Sequence, residues 1–91
     1  MNRRNTIMLT ALREMCAGKK ITALDYAKRF DTTRLGARIY DLRQLASEHD
    51  QLFRIQSERR KDRYGESYFA YFIDDLWIDE GRKLLKKLKT K

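Results

Sequence analysis

Arginine can grip a phosphate or a guanine edge through two parallel hydrogen bonds, and this chain repeats it at helical spacing. In the stretch Asp31 to Gln44, DTTRLGARIYDLRQ, Arg34, Arg38 and Arg43 flank an apolar stripe. A second cluster, Arg59, Arg60, Lys61 and Arg63, fills all but one position of RRKDR, and Tyr64 follows directly. Lys19, Lys20 and Lys28 add scattered positive charge. Such a set suits contacts with a polyanion, provided the fold turns the cations outward together.

The elements that must do this are legible from periodicity. Arg3 to Ala17 carries Ile7, Leu9, Ala11, Leu12, Met15 and Cys16 at helical intervals, and Gly18 follows as a left-handed stop. Lys19-Lys20-Ile21 is a short extended link. Thr22 is the expected N-cap of the next helix, with Asp25 in its first turn and Leu24, Ala27 and Phe30 expected inside. Asp31, Thr32 and Thr33 supply capping oxygens for a third helix over residues 32–46. Its core stripe is Leu35, Ile39, Leu42 and Ala46, within about 60° of one another on a helical wheel. Two such helices joined by a three- to four-residue turn form a helix-turn-helix. Ser47 to Gln51 is turn-like.

From Leu52 the period drops to two. Phe53 and Ile55 alternate with Arg54 and Gln56, residues 60–66 are polar with a glycine, and SYFAYFI returns as a second strand. Phe69, Tyr71 and Ile73 are expected to complete the core. Tyr68, Ala70 and Phe72 on the other face are also apolar and call for a cover. The segment DDLWIDEGRKLLKKLKTK is helical, with Asp74 or Asp75 as cap and Leu76, Trp77, Leu84, Leu85 and Leu88 as its apolar stripe. Gly81 weakens its middle by about 1 kcal/mol relative to alanine. The fold class expected is mainly α with a small β-hairpin (α+β). A winged helix-turn-helix spans residues 1–73, and a basic amphipathic helix over 74–91 pairs two copies or covers the wing.

Composition narrows the partners. The chain has 91 residues, room for one domain, and a net charge of +8 from 21 basic and 13 acidic side chains. A sequence pI near 9.9 meets the usual threshold for a nucleic-acid footprint. No apolar run approaches a membrane span and the N-terminus lacks a signal-peptide core, so the cytoplasm is the expected place. The single Cys16 has no disulfide partner, and no cysteine–histidine spacing points to zinc. No metal or cofactor is expected. His49 is the only histidine and lacks a nucleophile at a recognisable spacing, and Asp74-Asp75 is better explained by capping than by ligation. The glycines at 18, 36, 65 and 81 form no phosphate-cradling loop. No enzymatic activity is expected.

The residues ITALDYAKRFDTTRLGARIYDLRQLA, followed by a hairpin ending YFAYFI, resemble a phage and prophage family of small winged helix-turn-helix proteins. The match runs through Ile21, Thr22, Leu24, Ala27, Phe30, Thr33, Arg34, Leu35, Ala37, Arg38, Ile39, Asp41, Leu42, Arg43, Tyr71 and Ile73, within about residues 7–73. TRLGARIYDLR is its most specific part, and the extension from Asp74 departs from the family's short members. The resemblance implies a winged-helix fold and DNA binding.

Residue by residue, the first two turns of a recognition helix reach base edges, which singles out Thr32, Thr33, Arg34, Ala37 and Arg38. Tyr40 and Gln44 are outward candidates for phosphate. Arg59, Arg60, Lys61, Arg63 and Tyr64 form the wing's contact set, and Lys19, Lys20 and Lys28 are backbone candidates. Each has a plainer alternative: the threonines can cap, Arg38 can pair with Asp41, and a charge run can be a solvated face. Tyr68, Phe72, Leu76, Trp77, Leu84, Leu85 and Leu88 are expected at a dimer or covering interface. The expected function is a phage-encoded transcriptional regulator that binds double-stranded DNA as a homodimer. An architectural, excisionase-like DNA binder and an inhibitor of a host protein on the same scaffold are the alternatives.

Overall fold

A computed structural model describes residues 3–31, 34–49 and 53–89, with side chains for 5–31, 34–49 and 53–88. Helix α1 (Arg3–Cys16) ends in a Schellman motif: the Lys19 N–H donates to the Glu14 carbonyl and the Gly18 N–H to that of Met15, both at 3.1 Å. Gly18 carries the left-handed turn at φ +84°. Strand β1 is only Ile21–Thr22. Helix α2 (Ala23–Phe30) is capped as its sequence predicts, Thr22 Oγ1 accepting from the Asp25 N–H at 3.1 Å.

The inward face of α2 differs from expectation. Leu24 is 58% exposed, whereas Tyr26 is fully buried. Ala23, Tyr26, Ala27 and Phe30 fall at i, i+3, i+4 and i+7, the true helical stripe, and Leu24 lies out of phase with it. Asp31 also changes role. It is the left-handed C-cap that closes α2 (φ 52°, ψ 43°), not a cap of the following helix; aspartate tolerates this conformation better than most residues.

Helix α3 (Leu35–Glu48) begins with Arg34 at its N-cap and runs two residues beyond the expected end. Leu35, Ile39, Leu42 and Ala46 are buried as the wheel requires. Thr32, Thr33 and Leu52 lie outside the described residues.

Strands β2 (Ile55–Lys61) and β3 (Ser67–Ile73) form the hairpin, and β1 pairs on the far side of β3, giving an antiparallel sheet ordered β1-β3-β2. At the hairpin tip Asp62 Oδ1 accepts from the N–H groups of Tyr64 and Glu66 at 2.8 and 2.9 Å. Arg60 and Lys61 thus belong to a strand, where alternation matters, rather than to the turn. The outer edge of β2 is lined with charge from Glu58 to Lys61, which discourages further strand addition.

The C-terminal segment opens with a short 3-10 turn (Asp75–Trp77) and continues as α4 (Ile78–Lys89). It packs chiefly against α1, inside the same core as the first three helices. It therefore shares one core with the preceding elements, and Gly81 approaches Ile73 at the end of β3. Leu84 is fully buried, and Trp77, Leu85 and Leu88 pack against the core. The expected interface stripe is consumed within one copy, and of that set Leu76 alone is largely exposed. Asp74 stands at the N-cap position without a side-chain cap bond and instead accepts from Gln56 Nε2 at 3.2 Å.

Candidate nucleic-acid interface

Strand register sorts the hairpin's side chains. Ile55↔Ile73, Ser57↔Tyr71, Arg59↔Phe69 and Lys61↔Ser67 share one face with the Ile21↔Tyr71 pair. Ile21, Ile55 and Ile73 are buried there, so this face looks toward the helices. Tyr71 packs on the core, and its hydroxyl lies 3.7 Å from where a Cβ on Gly36 would stand. The Tyr71 side chain thus reaches from the middle of β3 to the first turn of α3. One rung farther out, about 7 Å along the strands, come Arg59 and Phe69, and then Lys61. These residues are exposed because the core has ended. Phe69, expected inside, is on the correct face but beyond the reach of the helices.

Arg34 is exposed at the α3 N-cap, two residues before Gly36. Arg59 and Lys61 thus stand on the helical side of the sheet, and Arg34 lies at the end of α3 that Tyr71 reaches. Arg59 is held by Ser67, whose Oγ accepts from its Nε and Nη2 at 3.3 and 3.1 Å. At the tip, the Arg63 guanidinium lies 5.6 Å from the centre of the exposed Tyr64 ring.

Arg60 and Lys20 belong to the other face. Arg60 pairs across with Tyr68, and its guanidinium meets Glu58 Oε2 at 2.8 and 2.9 Å. Lys20 Nζ lies 3.6 Å from the same carboxylate and 4.9 Å from the centre of the Phe72 ring. Glu58 is held below the usual carboxylate range, first by the Arg60 hydrogen bond and then by the Lys20 charge. Polar side chains with long aliphatic stems provide much of the cover that Tyr68, Ala70 and Phe72 called for.

Along α3, Tyr40 is 61% exposed and Gln44 is exposed, while Ala37 is half-buried. Arg38 is withdrawn: only 13% of its side chain is exposed, and Nε faces Asp41 Oδ2 at 3.3 Å without hydrogen-bond alignment. Arg43 turns back to the hairpin and donates to the Ile55 carbonyl at 2.8 Å. Lys19 and Lys28 are exposed, on the α1–β1 link and on α2.

A polar network that periodicity alone does not reveal joins α1 to α2. The Tyr26 hydroxyl donates to Glu14 Oε1 at 2.5 Å, and Arg29 grips both Glu14 oxygens at 2.9 and 2.8 Å. Arg29 also reaches Asp25 Oδ2 at 3.3 Å and lies 5.1 and 5.2 Å from the Tyr26 and Phe30 ring centres. The Arg29 hydrogen bond, opposed by burial, holds the Glu14 carboxyl below its ordinary range. Its folded-state pKa lies under the unfolded one, so its stabilisation is present above the unfolded value and lost as pH falls through the folded one. Stability measured by urea unfolding is expected to fall on acidification below about pH 4.5. Glu14→Gln should start about 1 kcal/mol lower and lose less. An identical acid slope in both proteins would show that the network contributes nothing.

Among the described residues, no group of three or more histidine, cysteine, aspartate or glutamate side chains could hold a metal ion. No helix among them is long and apolar enough to cross a membrane. Burial pushes the Cys16 thiol up to about 11, as expected for a packing residue.

Compared with known proteins, the chain matches no family model, no curated protein and no solved structure. The likeness to phage proteins rests on the residues that carry it.

Proposed function

We propose that this chain is a double-stranded DNA-binding module of the winged helix-turn-helix type. Helix α3 enters the major groove, and the distal half of the hairpin follows the adjacent backbone. The observation that carries this is the strand register that turns Arg59 and Lys61 to the helical side of the sheet, with Arg34 at the end of α3 that Tyr71 reaches. The hairpin β2–β3 follows three helices, and the two-residue β1 pairs on the far side of β3, an order compatible with a wing. The net charge of +8 supplies the attraction. Transcriptional control in a phage or prophage is the setting implied by the resemblance.

Dimerisation through the C-terminal leucines loses its physical ground, since those side chains fill the core of one copy. A single copy contacting about four phosphates should bind duplex DNA with a log–log salt slope of about −4. Fluorescence anisotropy on a labelled random-sequence duplex between 50 and 200 mM salt measures it. Absence of binding at 50 mM salt would remove the proposal, and strong DNA bending without sequence preference would favour the architectural reading.

A further inference from the structure

The outward face of α3 is chemically one-sided. Arginine to guanine is the commonest specific major-groove contact, yet two of the arginines on this segment are held away from a ligand. Arg38 lies folded against Asp41, and Arg43 is spent on the Ile55 carbonyl. With Leu35, Ile39, Leu42 and Ala46 facing the core, the direction opposite them belongs to Ala37 and Gln44, with Tyr40 beside them and Glu48 at the last position of the helix. Glutamine donates to N7 and accepts from N6–H of adenine as a bidentate pair, and an alanine methyl packs against the C5-methyl of thymine. From this division we infer that α3 reads A·T pairs: Gln44 on adenine, Ala37 on a thymine methyl, with Tyr40 against the adjoining sugar-phosphate.

The cations then have a separate task. Arg34 at the helix start and Arg59 and Lys61 on the wing hold phosphates, which fixes the register of α3 without reading sequence. Asp41 matters in a second way. A bare carboxylate facing the groove would repel phosphate, and the Arg38 ion pair neutralises it. Arg38 is thus a positioning residue that offsets the Asp41 charge, leaving Glu48 as the carboxylate at the far end of the helix.

This inference rests on the DNA-binding reading, and the test separates the two. Binding-site selection from a random duplex library should return sites with A·T pairs at the positions α3 covers. Gln44→Ala, an exposed position, should weaken binding to a selected site by about ten- to a hundredfold. The same variant should leave binding to an unrelated duplex, and its salt slope, unchanged. Arg38→Ala should not relax the selected sequence. Sites dominated by guanine at the covered positions, or a preference that survives Gln44→Ala, would overturn the A·T assignment while DNA binding stood. Binding with no preference would overturn it as well. Failure to bind any duplex at 50 mM salt would remove the assignment and the DNA-binding reading together.

Discussion

The double variant Arg59→Ala/Lys61→Ala is expected to lose about a hundredfold in affinity for duplex DNA at 50 mM salt, and about eightfold at 200 mM. Each phosphate contact contributes about 0.9 to the slope of log K against log salt, so two lost contacts reduce its magnitude by about 2. The informative partner is Lys20→Ala/Arg60→Ala. It removes the same two charges, taking the net charge from +8 to +6, but from the opposite face of the sheet. Those two cations already neighbour Glu58, with Arg60 at 2.8 Å and Lys20 at 3.6 Å. Their removal should change binding only through the weaker long-range field, by a fewfold at most. Equal losses in the two variants would mean that bulk charge drives binding and that the helical side of the sheet is not the contact surface. Adding Arg34→Ala to the first variant should deepen the loss by about another tenfold.

The second large effect is on stability. Gly81→Leu is expected to destabilise the fold by about 3 kcal/mol, although leucine is the better helix former by roughly 0.8–1 kcal/mol in an open helix. A Cβ at this position would stand 3.0 Å from Cys16 Sγ and 3.2 Å from Ile73 Cδ1, both belonging to buried residues. The remaining leucine carbons would have to displace α4 from α1 or drive side chains out of their rotamers. A domain of this size has only about 5–13 kcal/mol of total stability, so the loss would shift the thermal midpoint by more than 10 °C. Cys16→Ala removes the closer of the two obstructing atoms, so Cys16→Ala/Gly81→Ala should recover much of the helix-propensity gain. A double-mutant cycle by urea unfolding would read that coupling. A Gly81→Leu protein as stable as its parent would show that α4 is not seated on α1 at this point.

These outcomes turn on features that differ in how far sequence reaches them. Helix and strand positions, the Thr22 cap, the Gly18 stop, and the inward stripe of α3 were all legible, because each depends on residues a few positions apart. The stripe of α2 was legible only in part: hydrophobicity places Leu24 inside, whereas phase favours Tyr26, which also finds a hydroxyl partner in Glu14. Gly81 looked like a weak point in a helix, since its neighbours Cys16 and Ile73 are distant in the chain.

The sequence by itself determined which segments are helix and strand, which faces are apolar, and that a large excess of cations must lie in solvent. Those follow from local dihedral preference and from the period of hydrophobic residues. Only the tertiary structure decided which cations share a face. Register assigned Arg59 and Lys61 to the side of α3 and Arg60 to the other. Packing of α4 on α1 spent the leucines that sequence had offered to a second copy. Long-range pairing makes these choices, because a single-residue step along a strand reverses the face and no local pattern records what lies opposite.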